Sequence, residues 1–134
     1  MKDAAELCRG LLRKARSDRI AMEASLAAQA YDAACFHAQQ MTEKCLKAFL
    51  AYSRVGFPYT HNLTKLIEIG AGIDVAFRSL LPTVTPLTPY AVELRYDDSF
   101  WPTQQVAEEA RASALAVFQF VLDRLPPEVR KTTK

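Results

Sequence analysis

Glycine is scarce, with four residues in 134, and long stretches hold none. A chain so poor in the residue that frees the backbone reads as helical. Cysteine is scarce and odd in number: Cys8, Cys35 and Cys45, all inside helical patterns. Cys35 and Cys45 share a helix face but stand almost three turns apart, too far for a bridge within that helix. Cys-x-x-Cys and His/Cys clusters are missing, which argues against a metal site. Reduced thiols in a cytoplasmic core are the plain reading. No apolar run approaches the ~20 residues that span a bilayer. Met1 to Gly10 carries Asp3 and Glu6, so a signal peptide is not expected there, nor a membrane partner. An excess of one charge is missing too. Lys and Arg number 17 and Asp and Glu 15, a net +2, so composition alone does not argue for nucleic acid. Gly-rich phosphate loops, nucleophile elbows and zinc spacings are absent, and no cofactor is expected.

What is present is helical periodicity. The sequence predicts one all-α domain over residues 1–126, an antiparallel up-and-down bundle of about five helices, followed by a frayed polar tail at 127–134. A first helix is expected over 3–27, with Ala4, Leu7, Cys8, Leu11, Leu12, Ala15, Met22 and Leu26 facing inward. A second is expected from about 30 to 54, with Ala34, Cys35, Ala38, Met41, Cys45, Phe49 and Tyr52 inward; Gly56 and Pro58 end it. Residues 62–70 read as a short helix capped by Asn62 or Thr60. Ile73 to Leu81 continue for a turn or two. Pro82, Pro86 and Pro89 stiffen the next connection. Residues 88–95 read as a short helix or an extended segment. A last helix, about 103–125, buries Ala107, Ala110, Ala114, Val117, Phe118, Val121 and Leu125.

Several polar residues could carry chemistry. Gln40, Glu43, Lys44 and Lys47 follow helical spacing on one face of the second helix, with His37 at its border. The plain reading is a solvated outer face. Phe36, in the middle of that stripe, argues instead that it is partly covered by the chain or by a partner. Arg54 and His61 stand with six residues between them, and the plain reading of the histidine is one that caps or pins its loop. Arg95, Asp97 and Asp98 form a charge cluster suited either to tying their loop to the second helix or to contacting a ligand. Arg9, Arg13 and Arg16 make a short basic stripe on the first helix that reads as a solvated face.

Tyr31-Asp32, the run His37-Ala-Gln-Gln-Met-Thr-Glu-Lys-Cys-Leu-Lys47, Thr60-His61 and Arg95-Tyr96-Asp97 together resemble the HEPN (higher eukaryote and prokaryote nucleotide-binding) domain, over about residues 4–125. The resemblance implies a helical bundle that dimerises. It also implies a minimal nucleotidyltransferase as partner in a toxin–antitoxin-type pair, and a nucleotide or RNA as ligand. Some members are metal-independent endoribonucleases with an Arg-x(4–6)-His signature. Here Arg95 is present, but no histidine follows it. A nucleotide-, RNA-phosphate- or partner-binding module is therefore expected, with Gln40, Glu43, Lys44, Lys47, Arg95 and Asp97 toward the ligand. The alternatives are an endoribonuclease toxin, with Arg54, His61 and His37 as candidates, and a purely structural dimer. Tyr90, Tyr96, Phe100 and Trp101 crowd one short region, which also points to a homodimer interface. Lys44, Lys47 and Arg95 are expected to converge on one cleft.

Overall fold

The computed structural model describes residues 3–90 and 96–131. Helix α1 (Ala4–Ala27) starts in a capping box. The Asp3 carboxylate accepts the Glu6 N–H at 2.8 Å, and the Glu6 side chain accepts the Asp3 N–H at 3.2 Å. Its buried seam is Cys8, Leu12, Ala15, Asp18 and Met22. Leu7, expected inside, is 44% exposed because it lies one residue, about 100°, off that seam.

Helix α2 (Tyr31–Tyr52) is the central element and packs against α1, α3, α5 and the 85–90 segment. It is buried nearly all round, with Gln39, Thr42 and Glu43 inside alongside its apolar face. The stop comes before Gly56. Arg54 takes the left-handed conformation (φ 60°), and the Arg54 and Val55 N–H groups close back on the Ala51 and Leu50 carbonyls. Gln29 ends α1 in the same way at φ 63°.

Helix α3 (Leu63–Ala71) is capped by Asn62, whose side chain accepts the Lys65 N–H at 3.1 Å. A 3₁₀ helix at Val75–Leu80, a single turn α4 (Leu81–Val84) and a second 3₁₀ helix at Thr85–Tyr90 follow. Residues 91–95 lie outside the described residues, and with them Arg95 and most of the segment read as helical or extended. Thr103 caps α5 (Gln104–Leu122) by accepting the Val106 N–H at 3.2 Å, and the whole expected apolar face of α5 is buried. The start of the expected polar tail folds back instead. Pro127–Arg130 form α6 against α1, Val129 is fully buried, and the Arg130 carbonyl accepts from Arg16 at 2.8 Å. One buried apolar side chain and one anchored carbonyl are enough to order that turn.

The result is an all-α bundle; no described helix is long and apolar enough to cross a membrane. Its core includes a ring cluster in which Phe77 meets Phe49 at 4.6 Å and Phe120 at 4.9 Å.

Candidate functional site

The polar stripe of α2 is built into the interior as two carboxylate clusters. In the first, Asp18 of α1 faces His37 and Lys44 of α2, which are seven residues apart and so share a face. His37 Nδ1 lies 2.9 Å from Asp18 Oδ1, and Lys44 Nζ donates to Asp18 Oδ2 at 2.5 Å. In the second, Glu43 takes Lys47 Nζ on Oε2 at 2.7 Å and His61 Nδ1 on Oε1 at 2.9 Å. Gln39 braces this cluster, donating to Glu43 Oε1 at 3.2 Å and to the His61 carbonyl at 3.3 Å. Gln40 donates to Gln39 in turn. A carboxylate only accepts, so Nδ1 of each histidine carries the proton in these contacts.

The electrostatics of Glu43 follow from this cage. Burial pushes its carboxyl up. Hydrogen bonds from Lys47 and His61, the Lys47 charge and the Gln39 amide outweigh that and hold it below the usual carboxylate range. Lys47 also lies 5.9 Å from the Phe57 ring centroid and 5.8 Å from that of Tyr59, so the 57–61 loop closes over it. The stripe is therefore covered by the chain itself and is not a solvated face.

Arg54 and His61, the candidate catalytic pair, are turned to different surroundings, and His61 pins its loop to α2 as its plain reading expects. Arg54 is exposed at the end of α2, whereas His61 is turned to Glu43. Lys44 and Lys47 bind different carboxylates, and Arg95 lies outside the described residues. Asp97 is occupied within its own loop, accepting from the Ser99 N–H at 2.9 Å and the Ser99 hydroxyl at 2.6 Å. Those two bonds hold its carboxyl below the usual range. The expected basic stripe of α1 turns inward at Arg16, whose guanidinium sits 5.4 Å from the Phe118 ring centroid.

A cavity of about 550 Å³ lies beside this stripe, against the N-terminal half of α2. That volume is in the range of small-ligand sites. Phe36, Tyr90, Tyr96, Phe100 and Trp101 supply rings, Asp32, Asp97 and Asp98 supply carboxylates, and Ala33 and His37 complete the lining. Tyr90 and Phe100 stack at 5.6 Å with planes 29° apart, and Phe36 meets the His37 ring edge-on at 5.1 Å. Trp101, held by its Nε1–H on the Asp98 carbonyl at 2.9 Å, is 72% exposed at the cavity, and Tyr96 is 76% exposed. Among the described lining residues there is no lysine or arginine. Of the described residues expected toward a ligand, Asp97 alone lines this cavity.

Two features escaped the sequence reading. Asp18 was one, although an acid interrupting the 8-12-15-22 seam is a legible signal of a buried partner. The other was the cavity itself, whose walls come from residues distant in sequence. Among the described residues no three His, Cys, Asp or Glu side chains gather as metal ligands.

The family model that matches the chain is the HEPN domain, over residues 8–125. No curated protein matches it. Among solved structures it is similar to ST0689, an archaeal HEPN homologue, with 20% sequence identity and a TM-score of 0.71, over 92% of this chain and 98% of that one. At that identity the likeness speaks for the fold. The chain belongs to the HEPN family.

Proposed function

We propose that the protein is a HEPN module that works by binding a partner: a homodimer that docks a minimal nucleotidyltransferase, in a toxin–antitoxin-type pair. The observation that carries this reading is the cavity between α2 and the 96–101 loop, open at Tyr96 and Trp101 and lined by rings and carboxylates. Exposed aromatic side chains of this kind are enriched where proteins meet. Asp32, Asp97 and Asp98 make the same surface a poor seat for a phosphate. The two histidines support a non-nucleolytic role, since each has its Nδ1 engaged by a carboxylate that also binds a lysine. Three buried thiols support a cytoplasmic setting. The nucleotidyltransferase and the pairing rest on the family resemblance.

The test is co-expression with a minimal nucleotidyltransferase, followed by co-purification and light scattering. The reading expects a dimer that retains the partner, and loss of the partner in Trp101→Ala. A strict monomer that never retains it contradicts the reading. A second reading, nucleotide or RNA binding, is favoured by the near-parallel Tyr90–Phe100 stack beside the cavity, since base-on-ring stacking tolerates any base. Saturable binding of AMP or single-stranded RNA that Phe36→Ala and Trp101→Ala abolish would select it.

A further inference from the structure

We infer that the 54–65 connection between α2 and α3 is a docking surface for an acidic segment of a partner protein, with His61 Nε2 and the Tyr59 hydroxyl meeting its carboxylates. This surface is separate from the cavity, whose described lining includes neither residue, and the inference does not rest on docking there. The chain carries no Asp or Glu between Glu43 and Glu68, and over the same stretch it carries Lys44, Lys47, Arg54 and Lys65. Both flanking acids are taken, Glu43 by Lys47 and His61 and Glu68 by Arg78 at 3.4 Å. Lys44 and Lys47 are engaged by Asp18 and Glu43, whereas Arg54 and Lys65 are exposed and make no ion pair among the described residues. Between those two cations Tyr59 stands 95% exposed, its ring edge-on to His61 at 6.0 Å. The His61 side chain is 41% exposed and turns its Nδ1 edge to the buried Glu43 carboxylate, which leaves Nε2 on the outward edge. The loop is fixed before a partner arrives. Glu43 holds the imidazole, Gln39 holds the His61 carbonyl, and Lys47 sits against the rings of Phe57 and Tyr59. Docking therefore loses little freedom. A carboxylate fits this edge: with Nδ1–H on Glu43, a proton on Nε2 makes a charged donor for one carboxylate oxygen. Nucleic acid is the weaker match. It needs a track of cations and repeated stacking platforms, and this loop presents one exposed ring between two exposed cations.

The probes are rhodamine-labelled hexaglutamate, hexaglutamine and an oligouridylate of the same charge as hexaglutamate, read by fluorescence anisotropy at one ionic strength. The expected result is saturable binding of hexaglutamate at pH 6, with hexaglutamine about tenfold weaker. Affinity for hexaglutamate should fall several-fold from pH 6 to pH 8, because binding takes up a proton at His61 and histidine is the side chain that changes charge in that interval. The charged and titratable groups facing His61 are Glu43 and Lys47 from α2 and Tyr59 from its own loop, and Glu43 is held in its charged form throughout. Tyr59→Ala should weaken binding several-fold, as should Arg54→Gly combined with Lys65→Gln. All three positions are exposed, and glycine suits the φ of 60° at Arg54, so these variants keep the fold. His61→Gln retains an amide donor for Glu43 and should flatten the pH dependence. Absence of saturable hexaglutamate binding at pH 6 overturns the inference, as does binding that the Tyr59, Arg54 and Lys65 variants leave unchanged. Equal affinity at pH 6 and pH 8 also overturns it, since His61 would then take no part in the contact. Oligouridylate bound more tightly than hexaglutamate, and lost in the same variants, overturns it in favour of a nucleic-acid surface.

Discussion

Asp18 and Glu43 are used alike by the fold: each gives one carboxylate oxygen to a histidine Nδ1 at 2.9 Å and the other to a lysine Nζ. Asp18 ties α1 to α2 in this way, and Glu43 ties α2 to the 57–61 loop. In each cluster the histidine is a strut between elements, and the lysine neutralises the acid that holds it.

Removing Glu43 should therefore be costly. The side chains of Glu43 and Lys47 are only 6% and 12% exposed. Breaking a buried pair from one side strands the other charge, so Glu43→Ala should lose about 3 kcal/mol of stability. Equilibrium denaturation measures this, and an unchanged midpoint would mean that water already screens the pair.

The same carboxylate sets an acid limit. Its folded pKa lies below the ordinary value, so its stabilising contribution is complete above the unfolded pKa of about 4.3 and is lost as the pH falls through the lower folded value. The stability gap between wild type and Glu43→Gln should stay constant from pH 7 to about 5 and narrow below that. A gap that narrows instead on raising the pH above 7 would contradict the assignment.

Gly70 is held small by Phe77. A Cβ there would come within 2.9 Å of the Phe77 ring, which is fixed between Phe49 and Phe120. Gly70→Ala should cost about 1–3 kcal/mol through overpacking, even though alanine favours a helix. Thermal unfolding would register it as a clear drop in Tm.

Gln29 offers the opposite case. It sits at φ 63° and is exposed, where a side chain costs energy that glycine avoids. Gln29→Gly should stabilise by about 0.5 kcal/mol, after the extra freedom of the unfolded glycine is subtracted. A chemical-denaturation series reads this directly.

The thiols should be silent in the native state. Burial pushes Cys8 and Cys35 up to about 11, and Cys45 further still. A thiol reagent at pH 8 should label all three only at the rate of unfolding, and fast native labelling of any one would contradict its burial.

The helices were legible because their signals are local. Asn62 and Thr103 cap where side-chain chemistry says they should, and the α5 face was read residue by residue. The family resemblance was carried by short words such as Thr60-His61 and Arg95-Tyr96-Asp97. What was not legible depends on distant elements. Whether Glu43 faces water is decided by where the 57–61 loop lands. Whether residues 127–130 fray is decided by a surface on α1 that receives Val129. The cavity was hidden for the same reason, since Phe36 and Trp101 are separated by half the bundle in sequence.

The account treats His37 and His61 as struts of a binding module, and incubation of purified protein with RNA without added metal tests that most directly. The account predicts intact RNA with wild type, and His61→Ala that unfolds more easily without altering the RNA outcome. Rapid cleavage by wild type, abolished by His37→Ala or by His61→Ala in a variant that keeps its helical fold, would contradict it.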